Sequence, residues 1–355
     1  MSLVAAFLAF TGTAEAYHQI DAKFTFRKNI DPIVVPGQYV SHMHSFFGSD
    51  AVTANTTTSA EVQTGCNTNT NPNDLSVYWT PTLYAVVGDE RIPIEPNSFK
   101  AYYNNIGDAD ITFPQDFKVV AGNALATSQA DVDPKSTMSW WCEYGPEGGP
   151  KDEAAFPTQS CVKGRLQTIL RFQDCINPDS HEAVYSSNQY GTSNWCPKGM
   201  KRIPQLRFSV RYDTSKALPN GWTGKAPLEL ASGSSYSFHG DFINGWLPEA
   251  AENLLAATDK REWQPVSGPL SRTASCSPTD PDPENGTDDW AKSVAFINSG
   301  SSASGSYGSE IVEIKTPEAG ASITEEIKAP APLSGPECYK SKLKARKSKR
   351  RHMRA

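Results

Sequence analysis

Turn residues break this chain at close intervals. Twenty-five glycines and 26 prolines punctuate its 355 residues. Between them stand short runs of aromatic and β-branched residues, roughly one every dozen positions. Glycine opens positive-φ turns and proline removes a backbone donor, so long helices are excluded and short strands joined by turns remain. The clearest strand pattern is Lys201–Tyr212. Ile203, Gln205, Arg207, Ser209 and Arg211 face one way; Pro204, Leu206, Phe208, Val210 and Tyr212 face the other. Further strands are read at Phe24–Arg27, Ser76–Val87, Arg91–Ile94, Lys100–Tyr103, Phe117–Gly122 and Leu166–Phe172. The best helix candidate is Pro248–Ala257, with proline at its start and acids in its first turns. The Thr- and Asn-rich residues Asn55–Asp74 read as a long surface loop pinned by Cys66. There is no βαβ alternation and no internal repeat. The expected fold is mainly β: one antiparallel β-sandwich or jelly-roll-like domain with long loops and few short helices.

The ends differ from the body. Residues 1–16 combine a short apolar run with Ala14-Glu15-Ala16, the small-x-small pattern of a secretory leader. The body is expected over 17–298, and 299–355 as a flexible linker and basic tail. Lys340–Arg354 holds nine of the 33 Lys and Arg residues and no acid, leaving 24 basic against 39 acidic residues elsewhere. Such a tail suits solvation or an anionic polymer; secretion argues against nucleic acid. The seven cysteines form no close Cys-x-x-Cys pair, so disulfides are expected rather than a zinc knuckle. Cys142 with Cys161 and Cys175 with Cys196 make short loops, and Cys338 is the odd one out. Sequons at Asn55 and Asn285 fit a glycosylated surface. No run is long enough to span a membrane. The expected setting is secreted, extracellular or cell wall, as a monomer.

Chemistry concentrates in few residues. Only six histidines occur, and two form His42-Met43-His44. On extended backbone, residues i and i+2 share a face. Far downstream His239-Gly240-Asp241 repeats that spacing, so both pairs are expected to converge on one polar groove.

Several blocks, in order, resemble a known family. They are Asp31–Gly37, Ser41–His44, Tyr78–Tyr84, Ala101–Tyr103, Phe113–Lys118 and His239–Trp246. Together they resemble the secreted fungal and bacterial family of domain of unknown function 1996, from about Phe24 to Leu255. Members carry Cys-Trp-Asn/Asp-Gly and a histidine before the last block. Here Asp174–His181 stands in that place, with Ile176 for Trp and Pro178 for Gly, keeping Asn177 and His181. The resemblance implies a site of His42, His44, His181, His239 and Asp241. It brings no activity with it. The fusion of some relatives to carbohydrate-binding modules implies a polysaccharide setting.

Three functions fit these residues. An enzyme acting on extracellular polysaccharide would use histidine for proton transfer, with Asp241, Asp174 or Asp179 as carboxylates, as hydrolase or lyase. Tyr78, Trp79, Tyr103 and Trp246 would meet sugar rings; Asn177, Asn244 and Arg207 would bind their polar groups. Alternatively His42, His44, His239 and Asp241 hold one divalent metal, copper, zinc or manganese, with or without oxidoreductase chemistry. Or the same groove binds wall glycan without catalysis.

Overall fold

The computed structural model describes residues 17–145, 153–256 and 266–300. The expected leader, Cys338 and the basic tail lie outside the described residues. The strands in chain order are β1 (His18–Ala22), β2 (Phe24–Lys28), β3 (His44–Gly48), β4 (Val77–Pro81), β5 (Leu83–Val87), β6 (Glu90–Ile94), β7 (Pro96–Asn104), β8 (Lys118–Gly122), β9 (Ser139–Cys142), β10 (Arg165–Arg171), β11 (Cys175–Ile176), β12 (Ala183–Val184), β13 (Lys201–Arg202), β14 (Gln205–Asp213), β15 (Leu228–Leu230) and β16 (His239–Ile243). Helix α1 (Ser59–Val62) precedes β4; α2 (Pro248–Ala256) and α3 (Trp290–Gly300) follow β16. The expected linker therefore begins inside α3.

Two five-stranded antiparallel sheets make the sandwich. One has the order β1-β7-β14-β10-β9, the other β2-β3-β4-β16-β8. Their inner faces meet through aromatic rings: Phe47 stacks on Phe99 at 4.2 Å, and the Tyr78 ring lies 5.7 Å from that of Phe208. Leu206, Phe208, Val210 and Tyr212 all face this core, as their alternation predicts. The same stretch breaks at Pro204, however. β13 pairs with β11 in a small sheet, and β14 enters the large one. Ile203, read as part of the polar face, is buried at that crossing.

The second sheet is covered on both sides. Phe46, Trp79 and Ile243 on its outer face form a separate core with Phe26, Ile30, Val52, Ala54 and Val62. The segments flanking β3, with Ile30 before it and Val52, Ala54 and Val62 after it, thus lie across this sheet. β3, β4 and β16 are consequently buried at every position.

The Asn-rich segment is a correction to the surface-loop reading. Asn67, Asn69, Asn71, Asn73 and Asp74 are all buried. Their side chains replace a missing ladder. Asn67 and Asn69 each donate from Nδ2 to the Asp74 carbonyl at 2.8 Å, and Asn73 exchanges bonds with the backbone of Leu270 at 3.0 and 2.8 Å. A buried backbone must find partners, and asparagine supplies both donor and acceptor.

Asp74 accepts from the Tyr78 hydroxyl and from the Ser76 amide at 3.0 Å. Burial pushes its carboxyl up to about 6, against the pull of these hydrogen bonds. The folded state therefore holds the proton more tightly than the unfolded chain. Stability from this group rises as pH falls from about 6 towards 4 and is absent above 6. Asp74→Asn removes that slope. Urea unfolding of both proteins at pH 4.5 and pH 7 should show wild type gaining on the variant at the acid end; parallel profiles would refute the assignment.

The expected disulfides Cys142–Cys161 and Cys175–Cys196 are present, and Cys66 pairs with Cys276 across 210 residues. The last bond anchors a strap over β2. There Lys28 Nζ lies 2.9 and 2.8 Å from the two Asp280 oxygens, Tyr39 donates to Asp282, and Thr287 N donates to Asn29 Oδ1 at 2.7 Å. Among the described residues no helix is long and apolar enough to cross a membrane.

Candidate metal centre

Strand register brings the two histidine pairs together. His44 on β3 pairs with Pro81 on β4, and Phe46 with Trp79. Trp79 in turn pairs with Asp241 on β16. Carried one same-face step further along the antiparallel register, His239 falls level with Pro81. His44, Pro81 and His239 form one row on the outer face; Phe46, Trp79 and Asp241 form the next. Two strand spacings, about 9.6 Å, separate the backbones of the two histidines. Their rings lean over the proline and bring their Nε2 atoms to 3.2 Å. His42 does not share the strand, which starts at His44. It enters from the preceding loop and sets its Nε2 3.1 Å from that of His239.

The tautomers follow from the far nitrogens. His44 Nδ1 lies 2.9 Å from the Ile30 carbonyl, and His239 Nδ1 2.8 Å from the Ser237 carbonyl. A carbonyl only accepts, so both Nδ1 atoms carry the proton and both Nε2 atoms present a lone pair. At 3.2 Å these lone pairs face each other. One N–H on His42 can satisfy one of the contacts but not both. Burial, with the neighbouring imidazoles, holds His42 and His44 well below the ordinary histidine range. Burial alone brings His239 down to about 4, against the Ser237 hydrogen bond.

Carboxylates stand beside the rings. Asp241 Oδ2 is 3.9 Å from His239 Nε2, and neither Asp241 oxygen has a hydrogen-bond partner. Burial pushes its carboxyl well up, and the charge of Asp31 adds to this. Asp31 accepts from the amides of Ile33 and Val34 at 2.9 and 3.0 Å, yet burial still raises it to about 6. Ligand atoms of Asp31, His44 and Asp241 lie within 4.8 Å of one another, as do those of His42, His44 and His239.

Such spacing suits a cation. Ligands about 2.0–2.1 Å from a common ion lie about 2.9–3.4 Å apart, from right-angled to tetrahedral geometry. The two measured Nε2 separations fall inside that interval. Both Nδ1–H···O=C bonds are the usual outer support of a metal-binding imidazole. His44, His239, Asp241 and Asp31 are 0–3% exposed, while His42 is half-buried and forms the side nearest solvent.

The other candidate residues lie elsewhere. His181, in the left-handed region at φ 59°, packs its ring on Phe117. Phe117 O accepts from Asn244 N, just past the end of β16 opposite His239. About five residues of strand, roughly 16 Å, separate the two ends. Asn177 caps the His181 turn, accepting from Asp179 N at 2.9 Å. Asp174 is locked to Arg202 and Ser186. Tyr78, Trp79, Tyr103 and Trp246 are fully buried in the two cores, where no sugar ring can reach them. Asn244 is buried too, donating to the Pro114 carbonyl at 2.7 Å. Arg207 lies over the Tyr102 ring at 4.1 Å on the outer face of the other sheet, across the whole sandwich from the histidines.

Asp31 is the member that the sequence pattern did not single out. Its Asp-Pro context reads as a turn, which it also makes. The supporting carbonyls of Ile30 and Ser237 are backbone atoms and leave no side-chain signature.

In comparisons with known proteins, the family model described as Domain of unknown function (DUF1996) matches residues 31–246. No curated protein and no solved structure matches the chain.

Proposed function

The chain belongs to the family of Domain of unknown function (DUF1996), and on that premise we propose that it is a metal-binding protein whose centre is His42, His44 and His239, with Asp241 beside them. One observation carries this reading. Buried acceptors converge without donors: two Nε2 lone pairs face each other at 3.2 Å, and a carboxylate 3.9 Å from one of them has no partner. Unpaired buried acceptors are costly, and a cation resolves all of them at once. Three imidazoles with a carboxylate and no free thiolate suit zinc, copper, iron or manganese. The half-buried side at His42 is where a further ligand, water or a substrate oxygen, would approach. An ion with such a position polarises the bound oxygen.

An extracellular setting belongs to the same proposal, supported by three disulfides and by the leader-like residues 1–16. Polysaccharide is the substrate class we attach to it, as a metal-assisted hydrolase or lyase. The Tyr102–Arg207 pair lies on the opposite face of the sandwich and forms no part of this centre.

Elemental analysis of protein purified without chelator tests the centre. One equivalent of a first-row transition ion per chain is expected, with a melting temperature that falls on chelation and returns on reloading. No stoichiometric ion, and no response to added zinc, copper, iron or manganese, would end the proposal. Incubation with wall polysaccharides tests the substrate separately. Release of oligosaccharides only by the loaded protein supports the enzyme; retention without products supports a binding protein instead.

A further inference from the structure

The buried charges around the histidines do not balance. Lys28, opposite His44 in the strand pairing, is 2% exposed and is engaged by both Asp280 oxygens, so that pair cancels. Arg27 points to Glu95 at 3.4 Å. Asp31 and Asp241, 3% and 0% exposed, have no Lys or Arg partner among the described residues. Asp31 is steadied by two backbone amides, which are dipoles rather than charges. Asp241 has nothing. The histidine lone pairs are neutral. Ionised together, as a bound cation would require, they bring two negative charges to one buried layer, each with a ligand atom within 4.8 Å of His44.

We infer that the centre takes a single divalent cation, whose charge the carboxylates of Asp31 and Asp241 together neutralise, and that Asp31 sets the preference for a divalent over a monovalent ion. This rests on the histidines being ligands. Burying net charge is unfavourable and grows with the charge left over. A monovalent ion among three imidazoles leaves one negative charge in the layer. Two divalent ions leave two positive charges. One divalent ion leaves none. Asp31 meets the ion through charge and through its neighbour His44. It is a positioning residue, and the Ile30 carbonyl that orients His44 comes from the same turn.

The test uses the full chain, stripped with chelator and titrated separately with Zn²⁺ and Ag⁺, as wild type, Asp31→Asn and Asp241→Asn. Asparagine at 31 keeps an oxygen for the Ile33 and Val34 amides, so the turn persists. Wild type should bind one Zn²⁺. Asp31→Asn should lower Zn²⁺ affinity at least about ten-fold, the range known for residues that support metal ligands, and change Ag⁺ affinity less. Without metal at pH 8, Asp31→Asn should melt above the wild type, because it removes a buried carboxylate that has no cation beside it. A residue with only a structural role would lower melting temperature and ion affinity together. Two Zn²⁺ per chain, an unchanged Zn²⁺/Ag⁺ preference in Asp31→Asn, or a metal-free Asp31→Asn less stable than wild type at pH 8 would each overturn the inference. One bound Zn²⁺ with Asp31→Asn indistinguishable from wild type leaves the histidine centre standing and removes this addition. No binding of either ion by wild type removes both. If Asp31→Asn does not fold, the same readings on Asp31→Ser, which also keeps an oxygen for the turn, decide.

Discussion

His239→Ala is expected to abolish the proposed metal site: affinity for an added transition metal falls by more than about a hundred-fold, since even residues behind the ligands cost 10–100-fold when removed. His239 is the hub of the centre. Its Nε2 lies 3.1 Å from His42 and 3.2 Å from His44, so its loss leaves two ligands that share no third. Wild type at free ion a thousand times its Kd gains about 4 kcal/mol of stability; the variant gains no more than about 1.4 kcal/mol at the same concentration. His181→Ala is the control, because its ring packs on Phe117 at the far end of β16. It should keep wild-type affinity. Calorimetric titration of the two stripped variants decides, and His239→Ala binding one equivalent as tightly as wild type would sink the centre.

Gly245→Ala prevents folding or costs upwards of about 4 kcal/mol, at the extreme of single substitutions. A Cβ at this position would stand 2.3 Å from both the carbonyl carbon and oxygen of Leu75, and 2.5 Å from Ser76 N. All three are backbone atoms that cannot rotate away. The segments there are also bonded together, Leu75 N to Gly245 O at 3.2 Å and Gly245 N to Ser76 Oγ at 2.9 Å. Relief of the clash therefore breaks hydrogen bonds. Gly107→Ala, with nothing within 4 Å of its added carbon, should stay within about 0.5 kcal/mol of wild type. Denaturant midpoints of the two variants should differ widely; near-equal midpoints would mean that the strands can part without loss.

These two positions show where sequence reading reaches. Spacing alone put His239 and Asp241 on one face of a strand, and β16 bears this out. It also paired His42 with His44, though by a strand that begins two residues too late for His42. The local pattern could not reveal the row His44, Pro81, His239, because register between β3, β4 and β16 depends on residues far apart in the chain. Asp31 was hidden for a different reason: a turn aspartate and a charge-bearing aspartate look alike until burial is known. The aromatic residues failed as glycan contacts on the same ground. Strands covered on both faces show no alternation, so Tyr78 and Trp79 point into separate cores while the sequence offers only adjacent rings. Where one face was left more polar, as in β14, alternation gave the inward residues correctly.

The strap has a consequence for what counts as the folding unit. The family match spans residues 31–246, but β1 and β2 precede it and Cys276, Asp280 and Thr287 follow it. A fragment cut at the homologous boundaries would uncover the edges of both large sheets. It would also remove Asn29, which the strap clasps from the other end of the chain, and Ile30, whose carbonyl orients His44. The block matched by the family model and the body that the chain folds into are different objects. The first carries all the residues proposed as ligands, and only the second holds them in place.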